Sequence, residues 1–69
     1  MSFKPEIKVY GDPAFYQNSQ VFATYDEAYA SAQNRHFNWT MADEYRVAEV
    51  DEPVNYRWDE VVGDVRLDN

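Results

Sequence analysis

The spacing of hydrophobic positions changes along this chain, and each change marks an element. In Glu6-Ile7-Lys8-Val9-Tyr10, apolar and polar residues alternate in period two, which predicts a first strand. Gly11-Asp12-Pro13 breaks it. Apolar Ala14-Phe15-Tyr16 and Val21-Phe22-Ala23 flank polar Gln17-Asn18-Ser19-Gln20, a pattern that predicts two strands joined as a hairpin without the favoured Asn-Gly turn. From Tyr25 the spacing becomes helical. At about 100° per residue, Tyr25, Ala28, Tyr29, Ala32, His36 and Trp39 fall on one stripe, while Glu27, Ser31, Asn34 and Asn38 point away. Thr24 and Glu27 make a Ser/Thr-x-x-Glu capping box, with the hydroxyl accepting from the Glu27 amide and the carboxylate reaching back to the Thr24 amide. Asp26 and Glu27 also set negative charge at the positive end of the helix dipole. The predicted helix begins at about Tyr25 and ends somewhere between Asn38 and Ala42.

Asp43-Glu44 marks the next break, and Tyr45–Val50 reads as a strand with imperfect alternation. Tyr45 and Val47 share one face and Ala48 and Val50 the other, so either both faces are partly covered or a bulge switches the register. After the turn Asp51-Glu52-Pro53, Val54, Tyr56 and Trp58 alternate as an inward-facing strand expected to pair with Tyr45–Val50 in a second hairpin. Residues 59–69 are either a short edge strand or a tail over the sheet. The order strand, strand, strand, helix, strand, strand predicts an α+β fold, with one helix packed on a small antiparallel sheet of three to five strands. A single domain is expected over residues 1–69, with 1–5 and 60–69 as flexible ends.

Composition then narrows the chemistry. In 69 residues there is no Cys, which removes disulfides and thiolate metal sites, and the one His cannot make a zinc site without carboxylates. Small cores rarely supply more than about 3–5 kcal/mol by themselves, so stability must come from the twelve aromatic rings (two Trp, six Tyr, four Phe). That surplus of rings points to a self-associating or partner-binding face, and a homodimer is one expectation. No apolar run resembles a signal peptide or a membrane span, so a cytoplasmic protein without a membrane partner is expected. The sequon Asn38-Trp39-Thr40 then has no use. The net charge of −7 lies mostly after residue 35, which argues against direct nucleic-acid binding and favours a basic protein partner.

Few residues suggest catalysis. His36 lies about one helical turn from Ser31 and Thr40, but no motif supplies an oxyanion site; a ring tucked beside Trp39 or bonded to a backbone carbonyl is the simpler reading. The acid pairs Asp26-Glu27, Asp43-Glu44, Asp51-Glu52 and Asp59-Glu60 lack the loop spacing of a calcium site, and a chain this short leaves little room for a sugar cleft. They suit capping, turns and solubility, or a thin imitation of a nucleic-acid backbone. Two sets of residues suggest a contact surface. Phe37 and Met41 form a second helical stripe with Ala30 if the helix continues through Met41; if it ends near Asn38, both fold back into the core. Arg46, Asn55 and Arg57 would share the outward face of the second hairpin. No enzyme activity and no cofactor are expected.

The runs Val21–Ala28 and Tyr45–Trp58, with Trp39 between them, resemble small proteins of unassigned function encoded by tailed bacteriophages, including those of cyanobacteria. The resemblance covers roughly residues 14–58 and carries no catalytic signature. It implies a product made in an infected bacterium, hence an accessory protein that binds a host protein and modulates it. An acidic decoy of a DNA-binding protein and a small structural or assembly component are the alternatives.

Overall fold

Strand pairing around residues 2–9 decides the architecture. The computed structural model of the chain describes residues 1–67. In it β1 (Ser2–Val9) pairs antiparallel with β2 (Phe15–Gln17) on one side and with β3 (Ala42–Val50) on the other. One helix, α1 (Tyr25–Asn38), packs on a face of this three-stranded sheet, while β4 (Tyr56–Asp59) and β5 (Gly63–Arg66) form a separate antiparallel pair beside it. The fold is α+β, as the changes of period predict.

Neither predicted hairpin forms. Instead of joining Val21–Ala23, β2 folds back on β1 across Gly11, whose φ of 83° suits the turn closed by Asp12 N–H donating to Val9 O at 3.2 Å. The Asp12 carboxylate then accepts from the Ala14 amide and the Tyr16 hydroxyl, fixing the start of β2. Phe22 meets β1 through one bridge, with Phe3 and Phe22 exchanging N–H···O bonds of 2.9 and 2.8 Å. Pro5 falls two residues on, in the gap before β2 begins opposite Glu6, so its missing N–H faces no partner.

The second correction concerns β3 and β4, which do not pair. Residues 51–55 cross the end of β1, where the Ser2 hydroxyl donates to Glu52 O at 2.6 Å and accepts from the Glu52 amide. Asn55 completes the crossing: its side-chain oxygen takes the Val21 amide at 2.7 Å and its amide group donates to Ser19 O. The hairpin is β4–β5, where Asp59 Oδ1 accepts the amides of Val61 and Val62 and Gly63 sits at φ 86°. Arg46 therefore lies in one sheet and Asn55 and Arg57 beside or within the other, not on one outward face. Residues 2–5 and 63–66 are strand rather than loose ends; residues 68–69 of the expected flexible tail lie outside the described residues.

Helix α1 begins at the predicted cap, with Thr24 Oγ1 accepting the Glu27 amide at 3.2 Å. The carboxylate arm differs. Glu27 meets the Thr24 hydroxyl and the Trp58 amide, at 3.1 and 3.0 Å, rather than the Thr24 amide. Ala28 and Ala32 are buried as expected, but Ser31, predicted to point outward, is 1% exposed. The helix is rolled toward the second sheet, where Arg35 donates to Gln20 at 2.6 Å beside Asp64. That roll leaves Tyr25 and Tyr29 exposed along the β3 flank, stacked at 6.1 Å, with Tyr29 against Tyr45. The core is Ile7, Val21, Phe22, Ala28, Ala32 and Ala42, with Pro5 also enclosed. Each large apolar side chain buried there contributes about 1.5–3 kcal/mol.

Candidate protein-binding groove

The helix ends at Asn38, one of the two alternatives in the sequence, yet neither Phe37 nor Met41 folds into the core. Phe37 is 86% exposed and Met41, in the turn before β3, is 53% exposed. Because Met41 is off the helix, the second stripe runs instead through Ala30, Gln33, Asn34 and Phe37, spaced i, i+3, i+4, i+7. Facing it are Trp58 of β4 and Glu60 of the following turn. Together these six residues line an open groove of about 470 Å³.

The groove is held by polar anchors rather than by a continuous core. Glu27 ties the start of α1 to the Trp58 amide, and Asn55 ties the start of β4 to Val21. The Asp59 carboxyl is held below the ordinary aspartate range by the Val61 and Val62 amides, so it is charged and fixed at neutral pH. That turn carries Val61 and Val62, both largely exposed, next to Glu60. A concavity that sets Ala30, Phe37 and Trp58 among Gln33, Asn34 and Glu60 is suited to an apolar side chain flanked by polar or cationic groups.

The remaining predicted contact residues are occupied elsewhere. Arg46 donates to Glu6 at 2.5 Å and lies over the Phe15 ring at 3.8 Å, on the sheet face away from α1. Asn55 is spent on the crossing, and Arg57 pairs with Asp59 at 3.5 Å. His36 Nε2 is 3.2 Å from Asp43 O, with its ring beside Tyr45 rather than Trp39. Many acids are also engaged. Asp43 binds Lys8 at 2.6 Å and holds its ammonium above the usual lysine range, Glu52 meets Lys4, and Tyr16 holds the Asp12 carboxyl down. Among the described residues no three His, Cys, Asp or Glu side chains converge on a metal position, and no helix is long and apolar enough to cross a membrane.

Gln33 and Asn34 on the helix, and Trp58 and Glu60 on the opposite wall, are the groove residues that sequence reasoning missed. For the opposite wall the signal is Asp59 with Gly63, a carboxylate that can accept loop amides and a glycine free to take positive φ where the chain leaves the three-residue turn 60–62. Read that way, the pair turns Trp58 away from β3. No protein-family model, curated protein or solved structure matches the chain, so the phage resemblance gains no support from these comparisons.

Proposed function

We propose that this chain is a non-enzymatic protein-binding domain that receives an apolar side chain of its partner in the groove between α1 and β4. One observation carries the reading: Phe37, an aromatic residue 86% exposed, stands at the rim of a concavity walled by Trp58. Exposed aromatics at such positions are the side chains that dominate protein interfaces when covered. Glu60 and the net charge of −7 favour a basic rim on the partner. With the resemblance to small tailed-phage proteins, the proposed partner is a host protein whose activity is modulated in the cytoplasm of an infected bacterium. The decoy reading has less support, since Glu6, Asp43, Glu52, Asp59 and Asp64 are each within 4 Å of a Lys or Arg of the same chain.

The test compares the native chain with Phe37→Asp as bait in a bacterial lysate, with bound proteins identified by mass spectrometry. A partner that survives a salt wash and is lost with Phe37→Asp supports the groove. A DNA-binding partner released by salt and indifferent to Phe37 would replace this reading with the decoy.

A further inference from the structure

On the opposite flank of α1 from the groove, β3 is an edge strand: it pairs with β1 and with no other strand among the described residues. Which of its backbone groups are free follows from β1. Phe3 directs both its N–H and its C=O at Phe22, so Phe3, Pro5 and Ile7 face the β2 side and Lys4, Glu6 and Lys8 face β3. Their opposite residues Ala48, Arg46 and Glu44 are thereby satisfied, which turns the backbone of Tyr45, Val47 and Glu49 outward, unpaired among the described residues. Such a row is a template for another strand.

We propose that this edge pairs antiparallel with a second copy of the chain, about a two-fold axis at Tyr45, joining the two sheets into one of six strands. Charge selects that register. With Tyr45 opposite Tyr45, Glu44 of each copy faces Arg46 of the other, twice, on the sheet face away from the helices. Both side chains are more than half exposed, Arg46 meeting Glu6 through Nε and Glu44 lying 3.8 Å from Lys8, so each can extend its pairing across the edge. Centring on Arg46 sets Arg46 against itself and Asp43 against Glu49, and centring on Val47 leaves Glu44 and Arg46 opposite Val50 and Ala48, with no opposite charge to meet. Opposite charges therefore meet in this register and not in its neighbours. The axis also keeps both helices on one face, so the exposed Tyr25–Tyr29 flanks of the two copies come together over the new strand pair. That accounts for rings which the core of a single copy leaves in water.

Sedimentation of the full chain at 150 mM salt, across a range of concentrations, reads the association directly. Repulsion is then screened beyond about 8 Å. The expected result is a concentration-dependent species of twice the 8.2 kDa chain mass, weakened about tenfold or more by Glu44→Arg. This substitution also removes the ion pair of Glu44 with Lys8 of the same chain, 3.8 Å away, and changes the net charge from −7 to −7 + 2 = −5. The facing charge is therefore reported by a loss of association that the double variant Glu44→Arg, Arg46→Glu restores; a loss that the double variant leaves unrestored overturns the register. Amide exchange gives the second readout, with Tyr45 and Val47 amides becoming protected as concentration rises. A monomer at all concentrations overturns the proposal, as does a dimer indifferent to Glu44→Arg or one that protects only amides lining the groove. The Phe37→Asp capture experiment is unaffected by any of these outcomes.

Discussion

Glu27 joins three parts of the molecule, and replacing it by alanine tests how the second sheet is held. Its carboxylate accepts the Trp58 amide at 3.0 Å and the Thr24 hydroxyl at 3.1 Å, and it lies in the first turn of α1. A hydrogen bond between a charged group and a backbone amide contributes roughly 1.5–3 kcal/mol, toward the lower end where water reaches the group. The helix-dipole interaction adds about 0.3–1 kcal/mol. Glu27→Ala should therefore cost about 2 kcal/mol, out of a total stability of roughly 3–10 kcal/mol for a chain of this size. At 4–8 °C per kcal/mol for small domains, the melting temperature should fall by about 8–16 °C. Glu27→Gln keeps an oxygen for the Trp58 amide without the charge and should lose about half as much. Thermal unfolding by circular dichroism measures both, and amide exchange at Trp58 shows whether β4 loosens first. A fall under about 2 °C for Glu27→Ala, or equal losses for Ala and Gln, would refute the clasp.

Four further outcomes follow from individual side chains. Thr24→Ala removes the acceptor of the Glu27 amide and should cost about 0.5–2 kcal/mol in the same melt. Ser31 has a buried hydroxyl without a hydrogen-bond partner, so Ser31→Ala should raise stability, by up to about 1 kcal/mol, rather than lower it. Gly63→Ala should cost on the order of 1 kcal/mol from its φ of 86° alone, because the nearest Trp58 atoms, at 3.8 and 3.9 Å, leave room for a methyl group. The carboxyls of Asp12 and Asp59 are held low in the fold, so their contributions are complete above the ordinary carboxylate range and disappear as pH falls below about 4; Asp59→Asn should flatten that acid limb in a pH series of melts while still accepting the Val61 and Val62 amides.

Local chemistry was legible where neighbouring residues decide the structure. Thr24 and Glu27 mark the helix start because the cap bond spans three residues, and the end at Asn38 lies within the expected range. The next strand was legible only from Tyr45: Asp43-Glu44, read as a break, belongs to β3, which begins at Ala42, while Tyr45, Val47, Ala48 and Val50 are all partly buried, so both faces are partly covered. A bulge does occur, but near Asp43, where Lys8 and Val9 pair with Glu44 and Ala42. Alternation reports burial of a strand and says nothing about which strand lies beside it. That is why Phe15–Gln17 could be read against Val21–Ala23 when its partner is β1.

Pairing went wrong at the second hairpin for a different reason. Asp51-Glu52-Pro53 has the composition of a tight turn, but the chain there is an arch whose ends are tied to Ser2 and Val21, residues some 30–50 positions away. A hydroxyl at position 2 that both donates to and accepts from Glu52 leaves no trace in the residues around Pro53. The groove inherits this illegibility, because it exists only where β4 is brought beside α1 by that arch. Ala30, Gln33, Asn34 and Phe37 could be placed on one helix face from spacing alone, whereas the opposite wall depended on the partner of Trp58. Asp59 and Gly63 contain that information: a carboxylate four residues before a glycine satisfies two loop amides and lets the chain reverse with positive φ. Weighting turn chemistry above the alternation of Val54, Tyr56 and Trp58 moves Trp58 from the core of a single sheet to the wall of a cleft. Its partly buried ring then becomes a candidate contact, and Phe37 gains the facing surface that an isolated exposed aromatic lacks.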